Sequence, residues 1–89
     1  MASESKYQRK LINKYESEGW FVMRLITVTC TVAKSGVPDL VMMRARDSGG
    51  FDVKFIEVKA NKGVVSKIQE YVINKLKEIG FEAEIDREK

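Results

Sequence analysis

The chain has no histidine. That removes imidazole as a general base, serine and cysteine triads of the usual kind, and histidine-bound zinc. Any hydrolysis it performs must draw on carboxylates, lysine, tyrosine or water activated by a metal ion. A single cysteine, Cys30, rules out an internal disulfide and a multi-cysteine zinc site, so the expected setting is intracellular, in the cytoplasm. Cys30 itself reads as a small residue in a strand or loop. No apolar run is long enough to span a bilayer, Met1-Ala2-Ser3-Glu4 does not open a signal peptide, and no membrane partner is expected. No repeat, low-complexity tract or linker divides the 89 residues, which are expected to form one domain over 1–89. At that size the core is marginal and an oligomer would help.

What is present describes a folded chain, with 44% apolar and 33% charged residues. A formal charge of +3 and a pI near 9.1 mildly favour an anionic partner. A first helix is expected from Ser3 or Ser5 to Glu18, with Gly19 as its stop. Ser5-x-x-Gln8 offers a capping box; if Ser3 caps instead, Glu4 is the first helical residue. Either start sets Glu4 at the head of an apolar stripe through Tyr7, Leu11 and Tyr15. Trp20–Thr27 reads as a strand, and the segment from Thr27 to Gly36 as its extension or a loop. Asp39–Met43 and Val53–Val58 are the clearest strands, joined by a turn at Asp47-Ser48-Gly49-Gly50. A second helix is expected from Ser66, boxed by Gln69, to Gly80, burying Val72, Ile73, Leu76 and Ile79, and a last strand covers Phe81–Ile85. The order α-β-β-β-α-β implies an α/β fold, a small mixed sheet flanked by helices.

Asp39 and Glu57 stand eighteen residues apart on the two clear strands, with Lys59 one pleat beyond Glu57. A three-residue hairpin loop Asp47-Ser48-Gly49 would set Asp39 directly opposite Glu57, and a loop Ser48-Gly49-Gly50 would set it opposite Lys59. Both put the three on one face; a two-residue loop would not. Two carboxylates about 5 Å apart repel by roughly 3 kcal/mol at an effective dielectric near 20. A raised pKa, the Lys59 ammonium or a divalent cation must offset that, and oxygen ligands suit magnesium or manganese (Mg2+ or Mn2+).

Ser35-Gly36-Val37-Pro38-Asp39-Leu40-Val41, Phe55-Ile56-Glu57-Val58-Lys59 and Ser66-Lys67-Ile68-Gln69 together resemble the PD-(D/E)XK nuclease superfamily, and more narrowly the virus-type replication-repair nuclease (VRR-NUC) family. The stop at Gly80 before Phe81-Glu82-Ala83-Glu84 is similar to that family too. The resemblance implies a restriction-endonuclease-like core and metal-dependent hydrolysis of DNA. It implies Asp39, Glu57, the Val58 carbonyl and Glu4 as metal ligands, Lys59 as catalytic lysine, and Gln69 as the glutamine reaching the active centre. Small members look like phage or bacterial proteins that act on branched DNA, such as Holliday junctions or flaps, as homodimers.

Each residue also has a plainer reading. Asp39 after proline could simply open a strand, Glu57 and Lys59 could form a solvated ion pair, and Gln69 could serve only its cap. Lys62, Lys67, Lys75, Arg44 and Arg46 could line a phosphate path or merely keep the surface charged. Tyr7, Tyr15 and Trp20 read as core or interface. The functional alternatives are a non-catalytic nucleic-acid-binding module on the same fold, and a subunit of a restriction or toxin system.

Overall fold

Residues 4–25 and 36–88 are described by the computed structural model of the protein. The stretch from Thr27 to Ser35, with Cys30 in it, and the Glu4 side chain lie outside the described residues. Helix α1 (Glu4–Ser17) carries no glycine or proline, and its Leu11 and Tyr15 are buried with Tyr7 packed against them. It starts at Glu4, so Ser5 lies inside the helix and does not cap it. The helix ends where Gly19 takes a φ of +93°, a conformation that costs a side chain strain. Trp20 then turns back, its amide donating to the Tyr15 carbonyl at 3.1 Å and its ring meeting the Tyr15 ring edge-on.

Strands β1 (Phe21–Arg24), β2 (Leu40–Ala45) and β3 (Phe51–Lys59) form an antiparallel meander. Helix α2 (Lys67–Ile79) carries the chain back so that β4 (Glu82–Arg87) lies parallel to β3. Among the described residues this is a mixed sheet in the order β1-β2-β3-β4, with two helices. Alternation assigns the faces: Leu40, Met42, Ile56 and Val58 point towards α1 and are fully buried with Leu11, Tyr15 and Trp20. On the opposite face α2 covers β3 and β4, burying Ile73 and Ala83. Phe81 meets Phe55 edge-on at 5.2 Å between ring centres. Ile79, expected in the α2 stripe, is instead 63% exposed, because Phe81 takes the position over Phe55.

β3 is graded along its length, exposed at Phe51 and buried from Ile56 to Lys59. At its exposed end the α2-side face is left bare. Phe21 (63% exposed) and Phe51 (66%) border an apolar groove of about 450 Å³ with Met43, Ala45 and Val53. No helix among the described residues is long and apolar enough to cross a membrane.

Candidate active site

The site begins with a turn at the far end of the sheet. Arg46 N–H donates to the Gly50 carbonyl at 3.0 Å and Gly49 N–H to the Arg46 carbonyl at 3.1 Å. These bonds close a three-residue loop, Asp47-Ser48-Gly49, with Gly49 at φ +104°. Of the loops the sequence allows, the structure selects this one. It fixes Leu40 opposite Ile56 and Val41 opposite Phe55. One step further, the same register sets Asp39 opposite Glu57, in the closer, non-hydrogen-bonded kind of pair.

Ladder geometry next turns the Val58 amide and carbonyl towards Pro38. Pro38 has no N–H to offer that carbonyl. The Val58 N–H does not go to Pro38 either; it donates to Asp39 Oδ2 at 2.8 Å. The proline thus ends regular pairing where an acid side chain takes over from the main chain. On the other edge the Asp39 carbonyl accepts from Leu25 N–H at 2.8 Å, which continues the β1–β2 register. Gly36 controls how this strand approaches. It sits at φ +87°, and a Cβ there would lie 2.9 Å from Ile68 Cγ1 and 3.0 Å from the Ile68 carbonyl oxygen. The segment leading to Asp39 therefore runs flush against the first turns of α2.

Glu57, only 3% exposed, shares its face with Lys59, 9% exposed. Lys59 Nζ lies 3.8 Å from Glu57 Oε2. Gln69 Nε2 donates to that same oxygen at 2.9 Å, while Gln69 Oε1 accepts from Ser66 N–H at 3.0 Å. Gln69 N–H in turn donates to Ser66 Oγ at 3.2 Å, completing the capping box. The cap and the site are therefore one arrangement: because the amide oxygen is engaged by Ser66, the amide nitrogen must face Glu57. The plain and functional readings of Gln69 are both satisfied by a single side chain.

Two further contacts gave no sign in the sequence. Arg87, register partner of Lys59, donates from Nη1 to the carbonyls of Ala60, Asn61 and Gly63. It ties down the loop between β3 and α2, against which the Lys59 stem packs at Gly63. On the α1 side Tyr7 donates to Asp86 Oδ1 at 2.5 Å, anchoring the helix to the end of β4. That hydrogen bond, reinforced by burial and by the charges of Asp86 and Glu88, pushes the Tyr7 phenol up to about 12. Lys54 is also pushed up: burial opposes its charge, but Glu84 and Tyr15 outweigh that cost. No sequence periodicity announces these contacts, because each depends on the parallel β3–β4 register.

The donor set suits a hard cation. Among the described residues no three acid, cysteine or histidine side chains converge. A cation at this place would be held by Asp39, Glu57 and main-chain oxygen, with water filling the remaining positions. Asp39 and Glu57 outweigh Lys59 in charge, which is the electrostatic condition for divalent binding.

Against known families, residues 2–87 match the model of the VRR-NUC domain. No curated protein and no solved structure matches the chain.

Proposed function

This chain belongs to the VRR-NUC family, a nuclease-type family, and from that premise we propose that it is a magnesium- or manganese-dependent DNA endonuclease. The single observation carrying the proposal is that Asp39, Glu57, Lys59 and Gln69 gather on one face of the sheet, with Glu57 and Lys59 buried there. Its substrate is proposed to be branched DNA, such as Holliday junctions or flaps.

In this reading Asp39, Glu57 and the Val58 carbonyl hold the cation, with Glu4 a further candidate from α1. The cation, when bound, lowers the pKa of a water and stabilises negative charge on phosphate. The protein's own groups do the rest. The Val58 N–H fixes the Asp39 carboxylate, and the Gln69 amide fixes Glu57, so both acids are oriented before substrate arrives. The Lys59 ammonium is held beside Glu57, where it balances charge as the phosphodiester is attacked by water. Cutting two strands of a branched substrate calls for two centres, which a homodimer supplies. The bare apolar groove by Phe21 and Phe51 supports association of two copies, since such patches mark interfaces.

Purified protein incubated with four-way, flap and linear duplex DNA, in magnesium, manganese or chelator, tests the reading. Metal-dependent cleavage that favours the branched substrates is expected, with loss in chelator and in Glu57→Gln. Unchanged cleavage by Glu57→Gln would remove this site from the chemistry. DNA binding with no cleavage under any metal would favour the non-catalytic binding module.

A further inference from the structure

Glu57 Oε2 is met by Lys59 Nζ at 3.8 Å and by Gln69 Nε2 at 2.9 Å. These two groups stand at the two ends of one short loop, residues 60–65. Lys59 closes β3 just before it, and Ser66 caps α2 just after it while holding the Gln69 amide oxygen. Among the described residues, the loop's own main chain closes a single bond, Gly63 N–H to the Ala60 carbonyl at 2.9 Å. So little internal bonding would leave both groups free to drift, and something outside the loop must hold it.

Arg87 does so. Its Nη1 donates to the carbonyls of Ala60 at 3.4 Å, of Asn61 at 3.3 Å and of Gly63. In the parallel β3–β4 register Arg87 stands beside Lys59, hence on the face that carries Glu57 and Lys59. Like charges side by side on neighbouring strands are disfavoured. No ion pair among the described residues relieves this at Arg87; its guanidinium is turned onto the loop carbonyls instead. Gly63 completes the link to the site. A Cβ there would lie 3.3 Å from Lys59 Cδ, so the Gly63 main chain is the wall on which the lysine stem rests. A lysine side chain is long and flexible, and its ammonium stays in place only if the stem is packed.

We infer that Arg87 is a positioning residue for the cleavage, acting through the loop that presents Lys59 and Gln69 to Glu57. The inference rests on the nuclease reading. Direct contact between Arg87 and a phosphate would show in binding, whereas positioning shows in turnover.

The test compares wild type, Arg87→Ala and Arg87→Lys in two measurements. One is single-turnover cleavage of four-way DNA at saturating protein with magnesium or manganese; the other is anisotropy binding to the same DNA in chelator. Arg87→Ala is expected to cleave about 10–100-fold more slowly, the loss that follows when a reacting group is misplaced by about an ångström, with an unchanged Kd. Millimolar guanidinium chloride, compared with equal sodium chloride, is expected to refill the space facing the carbonyls and restore much of the rate. Guanidinium stabilises no fold, so that recovery cannot come from general stabilisation. Arg87→Lys keeps a cation and a donor, is the variant to use should alanine not fold, and is expected to cleave at an intermediate rate with the same Kd. Wild-type rates in both variants overturn the positioning role and leave the active site standing. A loss that lies wholly in binding overturns it too, making Arg87 a phosphate contact. Slow cleavage by Arg87→Ala that neither guanidinium nor lysine improves overturns it in favour of a general loss of structure. Wild-type protein that cleaves nothing overturns the positioning role and the nuclease reading together.

Discussion

Asp39 accepts the Val58 amide at 2.8 Å, doing with a side chain what the main chain of Pro38 would otherwise do. The bond couples strand geometry to acid placement, and two substitutions separate those roles. Asp39→Asn keeps an acceptor for the amide, so its unfolding free energy should stay within about 0.5 kcal/mol of wild type while cleavage is lost. Asp39→Ala strips the acceptor and should cost about 1–3 kcal/mol in urea unfolding as well. Equal stability of the two variants would show that the Val58 bond carries no weight.

Ser66 is joined to Gln69 by both bonds of the capping box: its N–H donates to the side-chain amide oxygen and its Oγ accepts the Gln69 main-chain N–H. Ser66→Ala should lower stability by about 1 kcal/mol and also lower kcat, because without the Oγ bond the first turn of α2, and with it the Ser66 N–H that holds the Gln69 amide, is less firmly placed. Ser66→Thr, which keeps the hydroxyl, should restore most of both. Single-turnover cleavage alongside thermal unfolding reads the two effects separately.

Gly36 is strained for any other residue and crowded by Ile68 and Val72. Gly36→Ala combines a left-handed backbone penalty of about 1–2 kcal/mol with steric crowding of similar size. The expected result is a fall in stability of roughly 2–4 kcal/mol together with a higher metal concentration needed for cleavage, since Asp39 is displaced from α2. Alanine tolerated there without change would mean the approach of the two segments is looser than it looks.

Tyr7 gives a pH signature. Its folded phenol titrates near 12, above the ordinary 10, so the neutral form is the one the fold favours. The stabilisation is complete below pH 10 and disappears as pH climbs from 10 through 12. Tyrosinate absorbance should include a late step from Tyr7 near pH 12. Tyr7→Phe should abolish that late step and flatten the loss of stability over the same interval.

How much of this was legible beforehand follows from what is local. The capping box at Ser66, the helix stops at Gly19 and Gly80, and the short hairpin at Gly49 are each written within a few neighbouring residues. Their sum was enough to bring Asp39, Glu57 and Lys59 to one face, although the choice among hairpin loops had to come from the structure. The carbonyl clamp of Arg87, the flush packing of Gly36 and the Tyr7–Asp86 bond join segments far apart in the chain. Arg87 sits in a charged stretch that resembles a solvated tail, and β4 runs two residues further than the apolar pattern suggested. Ile79 misled in the opposite sense, because periodicity marks a helical face without saying where the neighbouring layer stops.

The gradient along β3, from an open hairpin to a sealed terminus, also orders how the molecule breathes. Transient opening starts where few apolar atoms must be exposed, so fraying enters at Phe51 and spreads inward. Glu57 and Lys59 stand in the last stretch to let go, and their amide protons should be among the slowest to exchange with solvent. The chemistry is thereby seated in the most durable part of a small molecule, while its restless end is the one left for neighbours.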